Sequence, residues 1–235
     1  MVSYRRSRLP RRRRISRRTT RTRVPRVVKK YVKKVMPRPE VKRELDGFSE
    51  NIVTAGVTPY LQFEPLISQG TALNQRVGNE IRFLSIYAKV MLHNNSTLTQ
   101  TVRMLVLGMA SDTDTIPASM ELFQDANVAG GTTTLLTSGT NFGNMIFKVN
   151  KKKFHVYYDR VFKLGSVNSV DGKNVVLIKK LFKIRSKIRY DGNTTGVGNQ
   201  SKRYMILYLT SDPGLDNSGG AIEITGNHYY YFTDC

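Results

Sequence analysis

Arginine is the residue type whose abundance and spacing offer the clearest chemistry in this chain. The opening stretch RRSRLPRRRRISRRTTRTR, residues 5–23, is more than half arginine, and no carboxylate occurs before Glu40. A guanidinium is planar and always charged, so it pairs with phosphate through two hydrogen bonds and stacks on bases. The segment therefore predicts binding to a polyanion. Nucleic acid is favoured over a membrane surface, because the segment lacks Trp and any cluster of Phe and Leu that could insert into lipid.

The charge is concentrated in what we predict to be an N-terminal arm, residues 1–43. This arm holds 19 of the 38 Lys and Arg residues and one acid, a balance of +18, whereas residues 44–235 balance to +3. A run of like charges with few apolar residues cannot offset the entropy of ordering, so residues 1–23 are expected to be disordered in isolation. The arm residues predicted to bind nucleic acid are Arg5, Arg6, Arg8, Arg11, Arg12, Arg13, Arg14, Arg17, Arg18, Arg21, Arg23, Arg26, Lys29, Lys30, Lys33 and Lys34.

The end of the arm, Pro25–Pro37, has helical periodicity. Four apolar residues recur at the spacing of one helix face, and four lysines fall on the other side. Ten or eleven residues are too few for a stable isolated helix. The segment is therefore predicted either as a helix that forms only against a partner or as a partly extended linker.

A second cationic group lies in the stretch NVVLIKKLFKIRSKIRYDG, which begins at Asn174. Its even positions are mostly apolar, and its odd positions carry Lys179, Lys183, Arg185, Lys187 and Arg189. Because side chains alternate across a strand, one face is predicted to pack in a core while the other forms a basic stripe. The stripe, together with residues 151–153 (KKK), is interpreted either as a solvated polar face or as a surface that meets nucleic acid or an acidic neighbour.

Enzymatic constellations are missing from the sequence. The three histidines, His93, His155 and His228, are isolated, and the single cysteine is Cys235. No nucleophile elbow, phosphate-binding glycine loop or RNA-binding aromatic motif occurs. Asp112 and Asp114 could bind Ca²⁺ or simply lie in a solvated loop. We predict a protein that is not an enzyme, has no cofactor, carries no secretory signal and has no membrane span.

These cationic groups need a scaffold, and from about Gly47 the chain reads as β throughout. Eight β-like runs are separated by Gly, Asn, Asp, Ser and Pro clusters, which predicts an all-β, eight-stranded antiparallel sandwich for residues 44–235. The runs are Tyr60–Ile67, Glu80–His93, Thr101–Ala110, Asn144–Val149, Phe154–Leu164, Asn174–Tyr190, Lys202–Thr210 and Ala221–Phe232. The long loop Ser111–Gly143 has no assigned role.

Two of these runs are apolar on both faces, VRMLVLGM at Val102–Met109 and YMILYL at Tyr204–Leu209. One face of each strand packs on the opposing sheet. The other face also needs cover, which either a loop or another subunit could supply.

Three short segments resemble coat proteins of small viruses. The stretch LISQGTALNQRVGNEIRFLSI, Leu66–Ile86, is similar to a passage between strands in satellite-necrosis-virus-like coat proteins. FHVYYDRVFKL, Phe154–Leu164, resembles a strand with a central YD in the coat proteins of small circular single-stranded DNA viruses. The ending YMILYLTSD…HYYYFTD is similar to the last two strands of the same proteins.

The resemblance implies a single jelly-roll capsid protein, with sixty copies in a closed T = 1 icosahedral shell and arms that point inward onto a single-stranded DNA genome. It also implies location in the virion and in the host nucleus, with nuclear import receptors and a host-cell receptor as further partners. Two alternatives remain: a coat protein of a satellite-like single-stranded RNA virus, and a cellular nucleic-acid-binding β-sandwich that is not an enzyme. A lectin-like or cupin-like sandwich with an incidental tail is a third reading.

Overall fold

The computed structural model describes residues 39–52, 60–109, 122–123, 145, 148–191, 199–210 and 222–235, which belong to one compact unit, Pro39–Cys235. The strands are β1 (Lys42–Ile52), β2 (Tyr60–Phe63), β3 (Glu80–Asn94), β4 (Gln100–Met109), β5 (Phe154–Leu164), β6 (Val175–Asp191), β7 (Asn199–Gln200), β8 (Tyr204–Thr210) and β9 (Ile222–Asp234). The predicted arm lies outside the described residues up to residue 38, and its last two basic residues, Lys42 and Arg43, lie in β1.

The strands form two antiparallel sheets, a five-stranded sheet in the order β1-β9-β3-β6-β7 and a four-stranded sheet in the order β2-β8-β4-β5. Their pairings are nested along the chain: β4 pairs with β5, β3 with β6, β2 with β8 and β1 with β9. A long antiparallel ribbon folded at the β4–β5 connection and wound into two facing sheets has these pairings, and this is the jelly-roll arrangement. The predicted all-β, eight-stranded antiparallel jelly-roll sandwich is confirmed, with the two-residue β7 as an addition.

The core lies between the two sheets and follows from the period-2 alternation of the strands. Inward-facing residues such as Ile86, Val90, Phe182, Ile206 and Phe232 are almost fully buried in one cluster. Each large apolar side chain removed from water contributes roughly 1.5–3 kcal/mol, so this cluster is what holds the sheets face to face.

Seven of the eight predicted runs correspond to strands of the structure, and one does not. Of the described residues in Asn144–Val149, Val149 makes only an isolated bridge to Phe123, so the predicted strand is wrong. The sequence reading also missed β1, because this edge strand carries Glu44 and Asp46 on its inward side and therefore lacks an apolar alternation.

The outer face of the four-stranded sheet is covered by the chain itself. Leu122 and Phe123, from the long loop, pack with Val149 against the outward-facing apolar residues of β4 and β8. Of the two covers that the sequence left open for these doubly apolar strands, a loop or another subunit, the described residues show the loop. The rest of the Ser111–Gly143 loop, including Asp112 and Asp114, lies outside the described residues.

Candidate nucleic-acid interface

The predicted cationic stripe lies on β6, in the five-stranded sheet. Exposure alternates along most of this strand, and its inward side, which includes Ile178, Phe182 and Ile188, is buried in the core. The exposed outer side carries Lys179, Lys183, Arg185, Lys187 and Arg189. The predicted alternation of apolar and cationic residues is confirmed, and the role of these cations in binding nucleic acid remains a prediction.

A β-bulge in β3 brings further cations to the same face. The register of β3 against β6 and β9 shifts between Phe83 and Ser85, so the buried residues are odd-numbered before the shift and even-numbered after it. Arg82 and Lys89 are therefore both exposed on the outer face, although they lie an odd number of residues apart. A regular strand would place them on opposite faces, which is why the sequence reading did not find them.

Cations face each other across β3 and β6. Lys89 lies directly opposite Lys179, and Arg82 lies directly opposite Lys187. On its other side Lys89 faces Asn227 of β9, and none of the ion pairs among the described residues includes Lys89 or Lys179. Like charges directly opposite each other destabilise a sheet, so this pairing favours an anionic partner.

Arg185 occupies the β6 side of the bulge and has a left-handed backbone, with φ of 55°. A side chain with a Cβ rarely adopts this conformation, which costs on the order of 1 kcal/mol relative to glycine. Glycine is the residue that such bulges favour. A cation at this position is therefore maintained at some cost in stability, a pattern found at functional sites.

Among the described residues three carboxylates lie on the outer face: Glu80, Glu223 and, at the end of β6, Asp191. The first two already have partners. Glu80 accepts from Lys187 Nζ at 2.5 Å and from Arg189 Nε at 3.0 Å, and these hydrogen bonds lower its pKa while raising that of Lys187. Glu223 accepts from Thr225 and lies 3.5 Å from Nδ1 of His93, and these hydrogen bonds lower the Glu223 pKa. The remaining cations of the face keep their charge available to a ligand.

A row of apolar side chains crosses the same face between the cations. Leu45 of β1, Tyr229 of β9, Tyr87 of β3 and Leu181 of β6 lie side by side in register, and we call them the tyrosine row. The two tyrosine rings have centroids 5.7 Å apart at an interplanar angle of 37°. The guanidinium of Arg43 lies 5.4 Å from the centre of the Tyr229 ring, a cation–π contact. The sequence reading missed this row, because its members come from four strands.

Two further groups of the described residues, the lysines of residues 151–153 and His228, lie elsewhere in the structure. Lys151, Lys152 and Lys153 lie in the turn before β5, a strand of the four-stranded sheet, so their predicted grouping with the stripe is wrong. His228 points into the core, where its Nε2 lies 2.9 Å from the Tyr208 hydroxyl and burial lowers its pKa to about 3.

Within the described ranges, no group of three or more His, Cys, Asp and Glu side chains is arranged to hold a metal ion. The same part of the chain contains no helix with the length and apolar content needed to cross a bilayer.

The chain has a remote structural likeness to a viral protein. No family model and no curated protein sequence matches the chain. Among solved structures, a chain from "Structure of infectious bursal disease virus Gx strain" matches with a TM-score of 0.30 and 11% sequence identity. The match covers 84% of this chain and 33% of the viral one, so the chain spans about a third of its neighbour's length. A likeness this remote does not assign a family.

Proposed function

We propose that the chain is the coat protein of a small virus, which assembles into a closed shell and packages a single-stranded DNA genome. The observation that carries the proposal is the outer face of the five-stranded sheet. On this face cations from β1, β3 and β6 gather on a jelly-roll scaffold, and two of the three carboxylates that the described residues place there, Glu80 and Glu223, are already paired. In the proposed shell this face and the arm, residues 1–43, point inward. The protein then acts through binding and assembly, and it is not an enzyme.

The charge of the arm supports a small genome. Residues 1–43 carry a net charge of +18. Sixty arms in a T = 1 shell would therefore carry about a thousand positive charges and neutralise on the order of a thousand nucleotides at one charge each. The outer face would add cations to this number. A genome of one to a few thousand nucleotides matches this capacity.

Electron microscopy of the purified full-length chain, combined with nuclease digestion of its extracted nucleic acid, tests the proposal. Closed uniform shells that contain DNase-sensitive, single-stranded material are the expected result. Shells that contain only RNA would replace the proposal with the satellite-like RNA coat protein. Monomers that bind nucleic acid without forming shells would replace it with the cellular β-sandwich binder, and particles without nucleic acid would contradict the packaging role.

The arm is assigned two tasks, genome binding and nuclear import, and each has its own test. Deletion of residues 1–34 should remove most of the packaged nucleic acid, whereas unchanged packaging would contradict the first task. A fluorescent protein fused to residues 1–43 should accumulate in the nucleus. Retention in the cytoplasm would contradict the second task.

A further inference from the structure

The tyrosine row lies between two lines of cations on the outer face. One neighbouring row contains Arg43 and Lys183, and the other contains Lys89 and Lys179. Successive rows on one face of a sheet are two residues apart along each strand, about 7 Å. The tyrosine row is therefore bordered on both sides by cations. Each line of cations lies about 7 Å from the row, a distance that one nucleotide can span.

The exposure of the row is high for apolar side chains on a folded domain. Leu45 and Leu181, at its two ends, are 50% and 47% exposed, and the tyrosines between them are half-buried. Leu177 and Met91 are also exposed, four residues further along β6 and β3, beyond Lys179 and Lys89. The row itself is a continuous exposed apolar surface across four strands, and such a surface marks a binding site more often than a solvated face.

The chemistry of the face matches that of a nucleotide. The flat, apolar faces of bases stack on aromatic rings, and phosphates pair with Lys and Arg. Arg43 combines both features, because its guanidinium already lies over the ring of Tyr229. A second copy of this chain is a poorer occupant, since a two-fold contact centred on the tyrosine row would bring the cations of one copy against those of the other.

Only unpaired bases can use the tyrosine row. In a duplex the bases stack on each other, and the protein meets phosphates and groove edges. In a single strand each base has a free face, and stacking on aromatic side chains tolerates any sequence. A face that offered cations alone would not distinguish single-stranded from duplex nucleic acid.

We propose that Tyr87 and Tyr229 form a stacking platform for unpaired bases, so that the outer face of the five-stranded sheet binds single-stranded nucleic acid in preference to duplex. This inference rests on the proposed function to the extent that nucleic acid meets this face. The flanking cations hold the phosphates, and the tyrosines supply the part of the affinity that does not depend on salt.

Photo-crosslinking of the full-length chain to an oligonucleotide that contains 5-iodouracil tests the platform at the level of individual residues. The single-stranded oligonucleotide should crosslink to peptides that contain Tyr87 and Tyr229, and the same sequence in a duplex should not. Crosslinks confined to the arm would overturn the platform. Crosslinking of the duplex to the Tyr87 and Tyr229 peptides in the same yield as the single strand would also overturn it.

Variants separate stacking from charge. Tyr87→Leu with Tyr229→Leu should weaken single-strand binding about tenfold at a salt concentration that suppresses the arm, with no change in the salt dependence. Tyr87→Phe with Tyr229→Phe keeps the rings and should bind as the wild type does. Lys89→Gln with Lys179→Gln should instead reduce the slope of log K against log salt by about 0.7 for each lost phosphate contact.

The tyrosine and lysine variants together distinguish a failure of the stacking platform from a failure of the proposed nucleic-acid-binding face. If the lysine variants change the salt slope and the leucine variants leave affinity unchanged, the stacking platform is wrong and the cationic face stands. If neither set changes binding, nucleic acid does not meet this face, and its assignment in the proposed function fails as well. Circular dichroism of each variant checks that the jelly roll is intact.

Discussion

Lys89 and Lys179 lie directly opposite each other on the antiparallel strands β3 and β6, both exposed on the outer face. Two cations at this position repel each other, and the repulsion weakens as salt screens it. The pair therefore weakens the sheet of the free protein, and an anionic ligand would remove that penalty.

Replacement of one member of this pair should stabilise the free protein. Lys179→Gln is expected to raise the free energy of unfolding by about 0.2–1 kcal/mol at low salt. The gain should disappear at high salt because screening already weakens the repulsion. Thermal unfolding at two salt concentrations measures it. Lys163→Gln, an exposed lysine of β5 opposite Thr101, is the matched control and should show no such gain. An equal gain in both variants would contradict the repulsion.

Substitution of Arg185 should lower the affinity for DNA without lowering the stability of the fold. Arg185→Gly relieves the left-handed backbone at φ 55° and should therefore stabilise the fold or leave it unchanged, by up to about 1 kcal/mol. The same change removes a cation from the outer face, so affinity for single-stranded DNA should fall. Chemical denaturation and a binding titration measure the two effects. Loss of stability on this substitution would show that the backbone at Arg185 is not strained.

His228 should make the fold sensitive to acid. Burial lowers its pKa from 6.5 to about 3, so between these values the unfolded chain binds a proton that the folded chain does not. Stability therefore falls as the pH falls from 6.5 toward 3, by on the order of 4 kcal/mol. Asp46, directly opposite on β1, has a pKa raised by desolvation and acts in the reverse direction. The stability of His228→Gln, measured by denaturation at several pH values, should depend less steeply on pH than that of the wild type. An unchanged slope would exclude His228 as the source.

Gly226 is required for β9 to approach β3. A Cβ built at this position would lie 2.4 Å from the carbonyl oxygen of Lys89 and 2.7 Å from Cα of Val90. Because backbone atoms cannot move aside as a flexible side chain can, Gly226→Ala should destabilise the fold by about 2 kcal/mol or more. Gly78→Ala, whose Cβ would meet only the backbone nitrogen of Glu80 at 4.0 Å, is the control. Equal melting temperatures for the two variants would argue against this close approach.

Phe123 should be essential to the cover of the four-stranded sheet. It is buried to 1% exposure against the outer face of β4 and β8. Phe123→Ala should cost about 3–5 kcal/mol and expose apolar surface that binds a hydrophobic dye. Leu73→Ala, at a site 76% exposed, should change neither quantity. Dye binding and melting that match the wild type would show that the loop does not cover this sheet.

Several parts of the fold could be read from the sequence because they are local. Period-2 alternation in β6 correctly assigned its buried and exposed sides, since successive side chains of a strand point to opposite faces. The same rule failed for β1, whose inward Glu44 and Asp46 break the apolar pattern. It also failed for residues 144–149, where a short apolar run does not distinguish a strand from a segment that covers a sheet.

On the outer face, too, some features could be read from the sequence and others could not. The cations of β6 form a pattern within one strand, and the charge of the arm lies in one continuous segment, so both could be read from the sequence. The tyrosine row brings together residues as distant along the chain as Leu45 and Tyr229, and Arg82 and Lys89 share a face only because the bulge after Phe83 changes the phase of β3. Alternation within a strand is a property of the local backbone and can be read from the chain. Register between strands depends on the packing of the whole sandwich. The tyrosine row and the opposed Lys89 and Lys179 therefore became apparent only in the folded molecule.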